Sequence, residues 1–424
     1  MTRGVPLRRT VNAPRSRHPL TADAEKYRAA LSQRGFRALW LAALVSRTGD
    51  TLNFVALALF TLAITKSAAA VGTVVLAEGV GLILGALVAQ LVVDQISPRP
   101  LLISVDMARA VTAALLAAAP SYPTALGVAF VLALGTAVFS PSSSTLVPRL
   151  VPGELLLAAN GLLWTAGVAL QLIAAPLAGV LVANGLVRLV FAVNAATFVG
   201  SGLLLLRLPA LSRVSTLTIG PWHQLPEAFR LMRMVGGLRP LLVMQALAAL
   251  SVGATSALLV VLAEKAYLLN PAGYGTWLGA IALGALAGPL ALPLLGRVAP
   301  ERVVPAAYAI RGVGDMGLGL LSQAGAGGAL LGLYGINTSS GMVSFQTLIQ
   351  RRIPERIRGR TFALLDLTWQ VGRLVSIGLG ALLATLVGIR PVFIVGGLLL
   401  IAAAAVGAVG LRAEPTAARD PEGS

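Results

Sequence analysis

Charged side chains interrupt several of the long apolar stretches of this sequence. Five of them lie far from the ends of their stretches: Asp50, Glu78, Arg311, Asp315 and Arg373. A charge in apolar surroundings is costly, so such residues usually pair with an opposite charge or face a water-filled cavity. A carboxyl group in that position can switch its charge off by taking up a proton. We therefore predict that these five residues take part in proton coupling.

Four of these residues, Asp50, Glu78, Arg311 and Asp315, also have a purely structural interpretation. Arg47 lies three residues before Asp50, on the same helix face, and would neutralise it locally. Glu78 would serve equally well as a hydrogen-bonding group between two helices. Arg311 and Asp315 are four residues apart, which is the spacing of a self-neutralising pair. The sequence leaves these alternatives open.

The composition shows which solvent surrounds these residues. Hydrophobic residues make up 57% of the chain and charged residues 12%, with a mean hydropathy of +0.84. A soluble domain carries about 25% charged residues. The chain is therefore an integral membrane protein, and it divides into twelve apolar stretches near the length of about 20 residues that crosses a bilayer. The predicted spans are 36–62, 71–93, 101–119, 124–145, 156–182, 187–208, 239–263, 274–295, 303–322, 326–347, 361–386 and 389–411.

The distribution of basic residues predicts the orientation. Of the 33 Lys and Arg residues, 25 lie in the two tails and in the connections after even-numbered spans, and four lie in the connections after odd-numbered spans. By the positive-inside rule, both termini are cytoplasmic in a multi-pass protein of the plasma membrane. The lipid bilayer thus explains the net charge of +17, and no nucleic acid partner is needed. With no cysteine and two histidines, we expect no metal site and no cofactor.

A short stretch at a span end occurs twice. Residues 145–152 read TLVPRLVP, and residues 347–354 read TLIQRRIP. At the same offset Arg109 falls on Arg311 and Arg188 on Arg390, which indicates one half-sized unit used twice. The predicted parts are a cytoplasmic basic tail, a six-helix bundle, a cytoplasmic linker, a second six-helix bundle and a cytoplasmic tail, at 1–35, 36–208, 209–238, 239–411 and 412–424.

Three segments carry a resemblance to a known family: FRALWLAALVSRTGDTLNFVALALF, LLISVDMARAV and LVPRLVPGELLLAANGLL. With the twelve spans, the short loop after span 2 and the basic joint after span 4, they resemble the major facilitator superfamily. Within it, they resemble the branch of macrolide-efflux and enterobactin-exporter-like proteins. The resemblance implies an all-α membrane fold of twelve transmembrane helices in two parallel-repeat six-helix bundles. It also implies transport by alternating access through a cavity between the bundles.

Two departures from the family pattern matter. Of the acidic and basic motif usual after span 2, only Asp94 and Arg99 remain, so a multi-arginine latch is not expected. The Gly-Pro-x-x-Gly-Gly element frequent in span 5 of exporters is matched in part by Ala175, Pro176 and Gly179, which favours export weakly.

Uncharged polar residues within the spans predict where a substrate binds, although packing between helices explains them equally well. The cavity candidates are Asn53, Trp164, Gln171, Gln245, Asn337, Ser340, Trp369 and Gln370. Charged residues at or near the two joints predict a cytoplasmic gate. The gate candidates are Asp94, Arg99, Asp106, Arg109, Arg149, Arg351, Arg352 and Glu355.

The function that these features favour is proton-coupled efflux of a small amphipathic molecule, such as a drug, an antibiotic or a siderophore-like metabolite. We expect a monomeric secondary transporter and no enzyme, and no Walker-type loop is present to bind ATP. Arg311 and Arg373 leave room for an anionic substrate. An importer or facilitator on the same scaffold is the alternative, and a membrane-embedded receptor or enzyme is a more remote one.

Overall fold

The computed structural model describes residues 19–92, 95–209, 238–295, 300–352 and 355–411. These ranges are helical apart from short connections and one turn of 3-10 helix at Gly153–Leu155. The α-helices in chain order are α1 (Pro19–Ser32), α2 (Arg34–Thr65), α3 (Ala68–Val92), α4 (Pro98–Ala118), α5 (Tyr122–Ser144), α6 (Val147–Leu150), α7 (Leu156–Ala183), α8 (Val187–Leu205), α9 (Leu238–Ala257), α10 (Leu259–Lys265), α11 (Pro271–Leu295), α12 (Pro300–Leu320), α13 (Ala324–Arg352), α14 (Glu355–Val387) and α15 (Ile389–Gly410).

The predicted all-α, multi-pass fold is confirmed. Each predicted span coincides with one helix, except that the seventh is divided at Leu258 into α9 and α10. Within the described ranges, nine helices are long and apolar enough to cross a membrane. The predicted linker 209–238 falls almost wholly outside those ranges, as does the C-terminal tail.

Local signals explain several helix ends. Ser121 and Thr124 form a capping box at the start of α5, in which the Ser121 hydroxyl accepts from the Thr124 amide at 3.3 Å and the Thr124 hydroxyl accepts from the Ser121 amide at 2.9 Å. The turn between α14 and α15 needs Gly388, whose φ of 93° is strained for residues with a side chain.

The two repeated joints differ in structure. After α5, the chain forms the short helix α6 and the 3-10 turn before α7 begins. In the second copy, α13 instead continues as helix to Arg352. The equivalence predicted from the repeat therefore holds for position along the chain and not for conformation.

The apolar core shows how the two halves meet. We call the ends of the helices at Arg34, Arg99 and Arg149 the basic side, and the ends at Lys66 and Gly388 the opposite side. Near the opposite side, one apolar cluster includes residues of both halves. On the basic side, each half has its own cluster, drawn from residues 29–208 in one case and 238–411 in the other among the described positions. Among the described residues, the halves thus share one apolar cluster near the opposite side, whereas their apolar clusters on the basic side are distinct.

Specific contacts close the opposite side. The Lys265 ammonium donates to the Lys66 carbonyl oxygen at 2.9 Å, and Lys66 lies 3.9 Å from the Glu264 carboxylate. Helices α7 and α11 approach so closely that a Cβ at Gly275 would lie 2.8 Å from the Ala175 carbonyl oxygen. The partial exporter motif around Ala175 therefore lies in the contact between the halves.

Candidate functional site

A buried guanidinium lies at the centre of the N-terminal half. The Arg109 side chain is 2% exposed, and its guanidinium carbon stands 4.0 Å from the centre of the Phe198 ring. Gly135 of α5 makes room for it, because a Cβ there would lie 2.8 Å from the Arg109 Cδ. Such a buried cation requires acidic partners.

Two carboxylates compensate the positive charge of the Arg109 guanidinium. Arg109 Nη2 donates to both oxygens of Asp50, at 2.8 and 3.0 Å, and to the Thr136 hydroxyl at 3.0 Å. Arg109 Nη1 donates to Asp106 Oδ1 at 3.2 Å. We call Asp50, Asp106 and Arg109 the charge cluster. Its two carboxylates face one guanidinium, so it carries an excess negative charge unless one of them is protonated.

Helix packing brings the cluster together. Asp106 and Arg109 are three residues apart on α4, which places them on one face. Asp50 comes from the middle of α2, at a point where the neighbouring Gly49 allows α2 to approach α8. A Cβ at Gly49 would lie 2.5 Å from the Asn194 Oδ1. A larger residue at this position would push α2 away from α8.

A cavity of about 140 Å³ opens beside the charge cluster. Of the two carboxylates in the cluster, that of Asp50 has access to it, since its side chain is 34% exposed and that of Asp106 is 0% exposed. The cavity is lined by Leu39, Ala43, Ser46, Arg47, Asp50, Arg109, Thr136, Phe139, Ser140, Ser143, Ser144, Val147, Asn160 and Leu163. The wall thus combines charged and hydroxyl-bearing side chains with apolar ones.

The repeat-related arginine has a different environment. Arg311, at the position equivalent to Arg109, lies 4.0 Å from Asp315 on its own helix α12, and both side chains are buried. Its guanidinium stacks on the Tyr334 ring at 4.1 Å. The ion pair itself closes within one helix, whereas the Arg109–Asp50 pair joins α4 to α2. The geometry favours the structural interpretation of the Arg311–Asp315 pair.

Glu78 and Arg373 meet where the two halves touch. Glu78 lies on α3 and Arg373 on α14, and Arg373 Nη2 lies 3.9 Å from the position of a Cβ at Gly79. The two opposite charges lie on facing helices, although no ion pair within 4.0 Å joins these two described side chains. The Arg373 Nε is buried without a hydrogen-bond partner. The structure thus brings together two predicted residues from different halves.

Comparison with known proteins identifies the family. A family model described as "Transmembrane secretion effector" matches residues 26–422, nearly the whole chain. The chain belongs to this family of the major facilitator superfamily. It is therefore a membrane transporter, and the predicted superfamily is confirmed, whereas the narrower macrolide-efflux and enterobactin-exporter branch stays a prediction. No curated protein matches the chain by sequence.

Solved structures share the fold of this transporter. The nucleoside transporter NupG has 12% identity and a TM-score of 0.72, over 89% of this chain and 99% of that chain. A bacterial homologue of the iron transporter ferroportin, solved in the inward-facing state, has 20% identity and a TM-score of 0.68, over 88% and 98%. A bacterial homologue of the human lysosomal transporter Spinster, also inward-facing, has 16% identity and a TM-score of 0.68, over 90% and 97%. At these identities the likeness shows the fold alone.

The structure corrects two sequence-based interpretations in this transporter. Arg47 does not neutralise Asp50, because Arg47 Nη1 donates to the Leu163 carbonyl oxygen at 2.9 Å and Asp50 binds Arg109. The second interpretation is the choice of Asp106 and Arg109 as gate candidates, since both lie well inside α4. Both side chains are buried in the N-terminal half, so we move them from the gate to the charge cluster.

The remaining gate candidates lie on the basic side or have side chains outside the described part of the structure. Arg99 is half-buried in the first turn of α4, and Arg149 is exposed on α6. Arg351 and Arg352 end α13 and Glu355 begins α14, but their side chains and all of Asp94 lie outside the described part. The gate therefore stays a prediction.

Two of the cavity candidates have packing partners. Asn337 Nδ2 donates to the Ala307 carbonyl oxygen at 2.7 Å, and Ser340 Oγ donates to the Gly288 carbonyl oxygen at 3.0 Å. These bonds hold α13 against α12 and α11, which favours the packing interpretation of both residues, and their role in a cavity stays a prediction.

The other cavity candidates stay predictions. Asn53 is buried with its Oδ1 unpartnered, Gln171 is exposed, and Gln245, Trp369 and Gln370 are half-buried. The Trp164 side chain lies outside the described part.

The cavity serines were not among the predicted site residues. Ser140, Ser143 and Ser144 form a polar run at the end of the otherwise apolar helix α5. A dense run of hydroxyl groups at the end of a span, next to a proline, is a signal that sequence reasoning could have used. Ser46, by contrast, is a single small residue, and only the tertiary structure places it in the cavity wall.

Proposed function

We propose that this transporter exports a small amphipathic molecule across the plasma membrane, acts as a monomer, and is driven by protons that move inward. The observation that carries the proposal is the charge cluster, in which a partly exposed carboxylate in a cavity wall binds a buried arginine of another helix. The positive-inside distribution makes the basic side cytoplasmic. The distinct apolar clusters of the two halves among the described residues on that side favour an inward-facing state.

The proton acts by changing the contact between α2 and α4. An ionised Asp50 binds Arg109 through both of its oxygens. Protonation removes that charge, and Asp106 still compensates Arg109, so the cost of breaking the contact stays moderate. A proton that is bound with different affinity in two conformations shifts the balance between them.

Two observations favour export. The family is described as secretion effectors. The partial exporter motif at Ala175, Pro176 and Gly179 lies in the contact between α7 and α11, where it helps to close the opposite side. The wall of the cavity combines Leu39, Phe139 and Leu163 with polar groups, as an amphipathic substrate requires.

Transport in inside-out membrane vesicles tests this proposal. With candidate drugs and siderophore-like compounds as probes, we expect accumulation that depends on an imposed proton gradient and collapses on addition of a proton uncoupler. Vesicles without the protein are the control. Accumulation that is insensitive to the uncoupler would refute proton antiport, and gradient-driven movement only in the opposite direction would establish the importer alternative.

Cross-linking of the opposite side tests alternating access. The natural sequence contains no cysteine, so introduced thiols react alone. In the double variant Lys66→Cys/Glu264→Cys, a short bifunctional thiol reagent is expected to join the halves and reduce transport to background, because these ends must separate in each cycle. Each single variant, treated in the same way, should keep its transport. Full transport by the cross-linked protein is incompatible with the mechanism.

A further inference from the structure

We infer that the cavity beside Asp50 is a subsite for a zwitterionic group, with an ammonium and a carboxylate on neighbouring atoms, such as the α-amino acid head of a larger amphipathic molecule. The inference rests on the proposed function, because it takes this cavity as part of the substrate path. It adds the substrate class, which the proposed function leaves open.

One part of the cavity wall offers hydrogen-bond acceptors. The Asp50 carboxylate accepts from Arg109 on its buried side and is 34% exposed. Ser143 Oγ and Ser144 Oγ each donate to the Ser140 carbonyl oxygen at 2.9 Å. Since their protons are used in this way, their oxygen lone pairs remain to accept bonds from a ligand. An ammonium group donates to the Asp50 carboxylate, and the serine oxygens lie about two helical turns beyond Thr136 on α5, where they accept from polar groups further along the ligand.

The other part of the wall offers a cation. Arg47 lies one helical turn before Asp50, which separates the two side chains by about 5–6 Å at Cβ. It forms no ion pair within 4.0 Å with any described carboxylate, and its Nη1 binds the Leu163 carbonyl oxygen. The guanidinium carries five N–H donors, so most remain for a ligand. A carboxylate is the group that guanidinium binds in bidentate geometry.

The size and charge of the cavity select a zwitterion. A cavity of about 150 Å³ admits benzene. The 140 Å³ found here therefore holds the roughly five non-hydrogen atoms of an amino acid head, while the apolar remainder extends along Leu39 and Leu163. A simple cation would be repelled by Arg47, and a simple anion by Asp50. A zwitterion with both charges satisfied avoids each repulsion.

This arrangement also links substrate to proton. An ammonium group that binds Asp50 favours the ionised carboxylate, and a proton on Asp50 removes the acceptor. Substrate and proton therefore compete at one carboxylate. Arg47 is a positioning and selectivity residue in this scheme, since it holds the carboxylate end of the ligand and does not itself carry the proton.

Binding of charge variants of one molecule to the purified full-length protein tests the inference. The probes are L-phenylalanine and L-tryptophan as zwitterions, their methyl esters as cations and their N-acetyl derivatives as anions. The dissociation constant of each probe is measured by isothermal titration calorimetry. We expect the zwitterions to bind about tenfold or more tightly than either derivative. Failure of both zwitterions to bind, or equal binding of a methyl ester or an N-acetyl derivative, would overturn the inference.

Variants of Arg47 sharpen the test. Arg47→Gln is expected to weaken zwitterion binding about tenfold, so that the methyl esters bind more strongly relative to the zwitterions than they do in the wild-type protein. Arg47→Lys is expected to keep the preference for zwitterions. Arg37→Gln removes an exposed arginine of the same helix outside the cavity and is the matched control. An unchanged preference in Arg47→Gln would overturn the assignment. Uncoupler sensitivity of the wild-type protein in vesicles is scored separately. A wild-type protein without the zwitterion preference but with uncoupler-sensitive transport overturns only the subsite, and one with the preference but without uncoupler-sensitive transport overturns only the proposed coupling.

Discussion

Asp50→Asn is expected to reduce proton-driven transport to background while the protein remains folded in the membrane. Asparagine has the shape of aspartate and still offers Arg109 an oxygen, but it cannot take up a proton. Arg109 keeps its bond to Asp106, so the buried cation does not lose all compensation. The measurement is gradient-driven accumulation in inside-out vesicles, with the amount and the elution profile of the protein determined in parallel.

Two controls delimit this result. Glu154→Gln removes an exposed carboxylate in the 3-10 turn after α6 and should leave transport unchanged. Asp50→Glu keeps a titratable group on a longer side chain and should retain part of the transport. Uncoupler-sensitive accumulation by Asp50→Asn at the wild-type rate would show that another group carries the proton, and Glu78 beside Arg373 would be the next candidate.

Arg109→Gln is expected to be the most destabilising single change in the charge cluster. It leaves two carboxylates without a cation, one of them fully buried. Removing one partner of a buried ion pair costs about 3–5 kcal/mol. Thermal unfolding of the purified protein in detergent should show a clear loss of stability, whereas Arg37→Gln on the surface of α2 should have an effect within about 0.5 kcal/mol.

The double variant Arg109→Gln/Asp106→Asn separates the loss of stability due to uncompensated charge from the loss due to changed packing. If the loss comes from uncompensated carboxylates, removal of the buried one should restore part of the stability. Arg311→Gln offers a second comparison, because it leaves a single carboxylate, Asp315, uncompensated. Its effect should be smaller than that of Arg109→Gln. Wild-type stability of Arg109→Gln would contradict the role of the cluster.

Much of the fold could be predicted because the membrane imposes simple rules. Backbone polar groups in lipid must be satisfied within the segment, so apolar stretches of about 20 residues become helices. The division of span 7 at Leu258 could not be predicted, since no proline or glycine marks that position. The different conformations of the two repeated joints also depend on packing and not on the shared sequence pattern.

The candidate site could be predicted in part. Helical spacing correctly placed Asp106 with Arg109 and Arg311 with Asp315, because each pair lies within one turn of one helix. The same rule pointed to Arg47 as the partner of Asp50, and that was wrong. Spacing gives the residues that share a face, but it does not tell which other helix that face meets.

By itself, the sequence determined that this protein is an all-α membrane protein built from a repeated unit, and it located the intramembrane charges. The tertiary structure decided that Asp50 binds Arg109, 59 positions away, and that serines of α5 complete the cavity wall. The physical reason is that hydropathy and period act along one helix. The rotation and approach of α2 against α4 and α8 depend on close contacts such as the one at Gly49, which form only when the helices pack.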